Sequence, residues 1–146
     1  MQAREVSPPG AERTWVLVFE TDDEPMSGLR RFTSENRVTT ASFQAIGAFS
    51  AATLGWLNWD TRDYEPIRID EQVEVLSLLG DVAAEDGEPS VHAHAVVGKQ
   101  DGTAHGGHLM EATVRPTLEV VLTEAPPHLR KRRDPASGLA LIDLDQ

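Results

Sequence analysis

The stretch Val91-His92-Ala93-His94-Ala95-Val96-Val97-Gly98-Lys99-Gln100-Asp101-Gly102-Thr103-Ala104-His105-Gly106-Gly107-His108-Leu109-Met110 decides what kind of sheet this chain builds. Two segments with strand character, Val91 to Gly98 and Ala104 to Met110, flank a polar turn that carries Asp101-Gly102, which reads as a β-hairpin. Residues two apart on a strand point to the same face, so His92 and His94 are neighbours about 7 Å apart at Cα. Whether His108 joins them depends on the turn. A three-residue loop Gln100-Asp101-Gly102, with Gly102 left-handed, sets His94 directly opposite His108. A two-residue Asp101-Gly102 turn shifts the register by one and sends His108 to the other face, unless Gly106-Gly107 supplies a bulge. His105, an odd number of positions from His108, falls on the opposite face in regular pairing and is read as a bystander.

Working outward, Gln72 to Gly80 reads as a strand ended by Gly80 and the loop Asp86-Gly87-Glu88-Pro89, and Thr117 to Thr123 reads as another. Nearer the start, Trp15 to Phe19 is a continuous apolar run with the length of a strand covered on both faces. Asp22-Asp23-Glu24 before Pro25 is a helix-start signal, since carboxylates favour the positive end of a helix and proline lacks only a donor that would be unpaired there. A helix is expected from Pro25 to Asn36, with Met26, Leu29 and Phe32 as a narrow apolar stripe. Ser42 to Ile46 is strand-like, with a break at Gly47. Ala48 to Trp59 follows, with Phe49, Ala51, Thr53, Gly55, Leu57 and Trp59 on one alternating set. Tyr64 to Ile69, interrupted by Pro66, suits an edge strand or a connector. One early helix packed on a mixed, mostly antiparallel sheet is an α+β fold. Residues 1–13 read as a flexible arm, 14–125 as the domain and 126–146 as a tail with a basic cluster.

The 146 residues are 40% hydrophobic and 25% charged, a composition that suits one globular domain. There is no cysteine, which excludes thiolate-built zinc sites and a cysteine nucleophile. Thirteen Lys and Arg stand against 24 Asp and Glu, a net charge of -11 with an isoelectric point near 4.7, and such a balance disfavours a DNA partner gripped through its phosphates. The one concentrated positive charge is Arg130-Lys131-Arg132-Arg133, the candidate nucleic-acid contact, whose competing reading is a solvated segment offsetting the acidic body. Trp15 to Phe19 is far shorter than the ~20 residues that span a bilayer, so no membrane partner is expected and the chain reads as cytoplasmic.

Three neutral imidazoles with an open fourth position suit a divalent first-row metal, zinc first, and such a site can be catalytic on a small molecule. The competing reading of His92-Ala93-His94 is polar decoration on a solvated strand. Glu74 and Glu119 are isolated acids in apolar strands, each a candidate proton acceptor if buried beside an imidazole and otherwise an outward, solvated side chain. No glycine-rich phosphate loop and no hydrolase nucleophile motif occurs.

The segments Val73-Glu74-Val75-Leu76-Ser77-Leu78-Leu79-Gly80-Asp81-Val82, Asp86-Gly87, His92-Ala93-His94, Asp101-Gly102 and Gly106-Gly107-His108-Leu109, with Ile46-Gly47-Ala48-Phe49, Leu54-Gly55-Trp56 and Thr117-Leu118-Glu119-Val120-Val121, resemble the plants-and-prokaryotes conserved (PPC) domain from about Trp15 to Thr123. The resemblance implies an α+β homotrimer with sites close to subunit interfaces, histidines matching His92, His94 and His108 that in some members look as if they hold a metal, and an acid matching Glu119. Plant members follow AT-hooks that grip DNA. This sequence has no Arg-Gly-Arg-Pro hook, so the part that explains DNA contact is missing, and the family's biochemical role in prokaryotes is not implied by its fold.

Overall fold

The computed structural model describes residues 1–125 and 130–144. Strand β1 (Gln2–Glu5) is followed by β2 (Thr14–Glu20), helix α1 (Pro25–Glu35), β3 (Ala41–Asn58), β4 (Asp63–Ile69), β5 (Val73–Glu85), β6 (Glu88–Gly98), β7 (Ala104–Glu124), β8 (Arg130–Arg133) and β9 (Ala140–Asp143). All pairings are antiparallel except that of β5 with β8, so the expected α+β architecture of one helix on a mixed, mostly antiparallel sheet is what the chain forms.

Helix α1 begins as its sequence dictates. Glu24 caps it, its carboxylate accepting from the Met26 and Ser27 amides at 3.0 and 2.6 Å, and Pro25 fills the first turn. The stripe Met26, Leu29 and Phe32 is buried, at about 1.5–3 kcal/mol for each side chain removed from water. The core it joins is lined by alternate residues of the strands, among them Leu17 and Phe19 of β2, Phe43 and Phe49 of β3, Leu78 and Val82 of β5, and Val120 and Leu122 of β7.

Strands β3, β5, β6 and β7 pair in a closed ring, β3 with β5, β5 with β6, β6 with β7 and β7 back to β3. Long strands must bend to close such a ring, and the bends account for two departures from the sequence reading. The break expected at Gly47 is a register shift inside one continuous β3, with further shifts between Phe49 and Ala51 and between Thr53 and Leu54. Each shift resets the alternation, so the buried set runs Phe49, Ala52, Leu54, while Ala51 and Thr53 are half-buried and Trp59 is exposed. The two strands expected at Ala104–Met110 and Thr117–Thr123 are one strand, because buried Ala112 and Val114 carry the ladder to β3 between them.

At the ends of the chain the structure adds strands where an arm and a tail were expected. Residues 2–5 pair along β2, covering backbone groups of an edge that would otherwise be open. Of residues 126–146, positions 126–129 and 145–146 lie outside the described residues. Within the rest, β8 pairs with β5 and with β9, so the basic cluster lies on the sheet. β4 is the edge strand that Pro66 suggested, paired to the far half of β3.

Candidate metal centre

The β6–β7 hairpin closes through Gln100-Asp101-Gly102, with Lys99 bonded to Thr103 across its base at 2.9 Å. Gly102 adopts φ +82, the left-handed position that a three-residue loop of this kind requires. The Asp101 carboxylate braces the turn by accepting from the Thr103 amide and hydroxyl at 2.9 and 2.6 Å. His94 consequently faces His108 across the ladder, and His92 stands two residues along on the same face. Of the two registers open to the sequence, the three-residue turn is the one formed.

The three side chains converge. One nitrogen from each of His92, His94 and His108 lies within 4.8 Å of the other two. Ring centroids are 4.9 Å apart for His92 and His94, 5.0 Å for His92 and His108, and 5.6 Å for His94 and His108. Zinc–imidazole bonds of about 2.0–2.1 Å bring the ligand nitrogens nearer to one another than this upper bound. His105 is not in the cluster.

Glycines on β3 and β7 make room for the third ring. A Cβ at Gly107 would lie 2.7 Å from the Gly55 carbonyl oxygen and 3.3 Å from Leu54 Cβ, so glycine is what lets β7 run this close to β3 beside His108. Gly55 is the cross-strand partner of His108, and over it Tyr64 of β4 stacks on the His108 ring at 4.4 Å.

Burial pushes the His108 pKa down to about 4, helped by the neighbouring His92, His94 and Arg30, and burial, then His92, lowers that of His94. Both imidazoles therefore stay neutral near pH 7, the form that offers a lone pair to a metal. Nδ1 of His108 is buried without a hydrogen-bond partner. A polar atom in that state is costly unless something accepts its lone pair, and a cation does so. The donor set, the neutral rings and the unpartnered nitrogen fit a divalent ion.

Two residues that the sequence reading did not place at the centre stand beside it. Asp81 of β5 is the cross-strand partner of His92, with Oδ2 3.5 Å from His92 Nδ1. The signal was present in Asp86-Gly87, both at positive φ, which form the two-residue turn that fixes this pairing. Lys131, read from sequence as part of a nucleic-acid patch, is buried, with Nζ 2.5 Å from Asp81 Oδ1. Burial raises the Asp81 pKa, but the contacts with His92 and Lys131 outweigh it and leave the carboxyl below the ordinary range.

An open pocket of about 610 Å³ leads to the cluster, with Leu57, Val91, Leu139 and Leu141 among its apolar walls and Lys131 also lining it. Glu74 and Glu119 do not line this pocket. Both are exposed, Glu74 near Lys99 and Gln100, and Glu119 beside Ile46, Leu79 and Val121. The structure does not bring either to the histidines. In the basic cluster, Arg132 pairs with Asp143 at 3.1 Å, and Arg133 with Glu85 at 3.5 Å and with the Gly138 carbonyl at 2.8 Å.

Among the described residues, no helix is long and apolar enough to cross a membrane. The sequence model of the Plants and Prokaryotes Conserved (PCC) domain matches residues 6–126. Among solved structures, a candidate DNA-binding protein from Bacteroides thetaiotaomicron superposes with a TM-score of 0.89 at 24% identity, covering 99% of this chain and 99% of that one. A plant- and prokaryote-conserved (PPC) protein from Pyrococcus horikoshii gives 0.84 at 28% identity over 96% and 99% of the two chains. A metal-containing protein from Archaeoglobus fulgidus gives 0.81 at 29% identity over 88% and 91%. No curated protein matches the chain.

Proposed function

Because the chain belongs to the Plants and Prokaryotes Conserved (PCC) domain family, we propose that it is a metal-binding member that holds one divalent ion, zinc first, on His92, His94 and His108 and takes a small molecule in the adjoining pocket. The observation that carries this reading is the convergence of three imidazole nitrogens to within 4.8 Å. That the similar protein from Archaeoglobus fulgidus contains metal supports it. When bound, such an ion supplies Lewis-acid character. The protein's own part is to present neutral imidazoles, to hold His108 under Tyr64, and to offer the ligand an apolar wall. Neither Glu74 nor Glu119 has a place in the pocket from which to move a proton, so no reaction is assigned to them.

The assembly that suits this site is the homotrimer implied by the resemblance. Ile46, Leu76, Leu79 and Val121 are exposed on one stretch of the outer sheet, an unusual number of large apolar side chains to leave in water. Leu79 is the cross-strand neighbour of His94, so a subunit packed on this patch would lie against the metal centre.

A DNA-associated role ranks second. Lys131, Arg132 and Arg133 already meet carboxylates of the same chain, within a protein of net charge -11. Such a role would show as DNA affinity falling steeply with salt, with a log–log slope of about -0.9 per phosphate neutralised.

Elemental analysis of tag-free protein purified without chelator, beside the variant with His92, His94 and His108 all changed to Ala, tests the metal reading. About one ion per subunit in the parent and none in the variant is expected. Retained stoichiometric metal in the variant, or a parent that stays empty after reconstitution, would sink it.

A further inference from the structure

The cation that shares the Asp81 carboxylate with His92 comes from a part of the chain that the family match does not reach. Residues 6–126 match the family, whereas Lys131 lies in β8, which docks in parallel on β5 through Ala84↔Arg130 and Glu85↔Lys131. The Lys131 side chain retains only 4% of its exposure, although it sits in a run of four basic residues whose arginines at 132 and 133 remain about 70% exposed. A buried ammonium needs a partner, and its partner is Asp81. The other oxygen of that carboxylate faces Nδ1 of His92. The three groups thus form a chain, Lys131 Nζ to Asp81 Oδ1 at 2.5 Å and Asp81 Oδ2 to His92 Nδ1 at 3.5 Å, which ends on a ring that meets His94 and His108.

Imidazoles that bind a metal through one nitrogen commonly donate the other N–H to a carboxylate, which fixes the tautomer and makes the ligand more basic. Asp81 occupies that place. Its own orientation is not left to solvent, since Lys131 holds Oδ1 and the β5–β6 register holds the backbone. We propose that Asp81 and Lys131 are positioning residues that turn Nε2 of His92 toward the metal, so that the C-terminal segment beyond the family match is a working part of the metal centre.

This inference rests on the metal reading above, and its test separates the two. Metal affinity is measured by chelator competition on the full-length protein, parent and Asp81→Ala, and cobalt(II) is substituted to record the visible spectrum of the site. The expected result is affinity weakened about 10–100-fold with an altered cobalt spectrum and the three histidines still required for binding. Lys131→Met is expected to weaken affinity in the same direction by a smaller factor. Parent affinity and parent spectrum in Asp81→Ala would overturn the positioning role and leave the three-histidine site standing. A parent that binds neither zinc nor cobalt would remove both. Should Asp81→Ala fail to fold, ¹⁵N NMR of the zinc-loaded parent decides the matter. A proton on Nδ1 of His92 with the metal on Nε2 is expected, and the reverse tautomer overturns the proposal.

Discussion

His94 and His108 stand directly opposite each other across the β6–β7 ladder, and this pairing turns the two histidines of a His-X-His motif into a three-sided site. His105, only three positions away on the same strand, pairs with Val97 and stays outside the cluster. The two histidines should therefore respond oppositely to substitution. His108→Ala is expected to reduce bound metal well below one per subunit, whereas His105→Ala keeps full occupancy. Metal-to-protein ratios after dialysis against a weak chelator distinguish them, and equal losses in both variants would argue that the register in solution differs.

Gly107 permits the approach of β7 to β3 on which the position of His108 depends. Its neighbour Gly106 is the matched control, because a Cβ there would meet only Val96 Cγ2 at 3.4 Å and the Ala95 oxygen at 3.5 Å, ordinary contacts. Gly107→Ala must displace backbone and is expected to cost about 1–3 kcal/mol and to weaken metal binding. Gly106→Ala should change stability by less than about 0.5 kcal/mol. Urea midpoints for the two variants and the parent give the comparison, provided the slopes stay equal.

What the sequence made legible follows the range of the interactions. The helix was readable because its cap at Glu24, its Pro25 and its stripe Met26, Leu29, Phe32 are local signals. The histidine site was readable up to two registers, since Gly102 marks a turn but the number of residues in the loop decides the face. The course of β3 departs from simple alternation at Gly47 and beyond, because its register shifts answer to the closure of the strand ring, which no window of sequence contains. The burial of Lys131 is hidden from the sequence for the same reason. A run of four basic residues looks solvated until β8 is known to lie on β5 and to bury one of them against Asp81, fifty positions away.

The apolar patch makes a prediction about mass. Ile46 and Leu79 keep 64% and 58% of their exposure in the isolated subunit. If copies of the chain cover them, placing a carboxylate at both positions sets charge into a desolvated contact. Ile46→Glu with Leu79→Glu is expected to shift the species seen by sedimentation equilibrium from trimer to monomer while the circular dichroism of the sheet is kept. A parent that sediments as a monomer would count against the assembly itself.

The acid dependence of stability should carry the mark of His108. Its pKa falls from the ordinary 6.5 to about 4 in the folded protein, so between those values the unfolded chain binds a proton that the folded chain refuses. The contribution of His108 to the stability of the metal-free protein is thus fully present above about pH 6.5 and is lost progressively as the pH falls toward 4, with His94 acting in the same direction. Asp81 and Asp23, whose pKa values are lowered from 3.8, release their contribution only at still lower pH, which keeps the two windows apart. Urea midpoints measured from pH 7.5 to 4 should decline in the parent and decline less in His108→Asn, where no imidazole titrates at that position. A variant as acid-sensitive as the parent would show that the proton is taken up elsewhere, and that His108 is not held neutral by its burial beneath Tyr64.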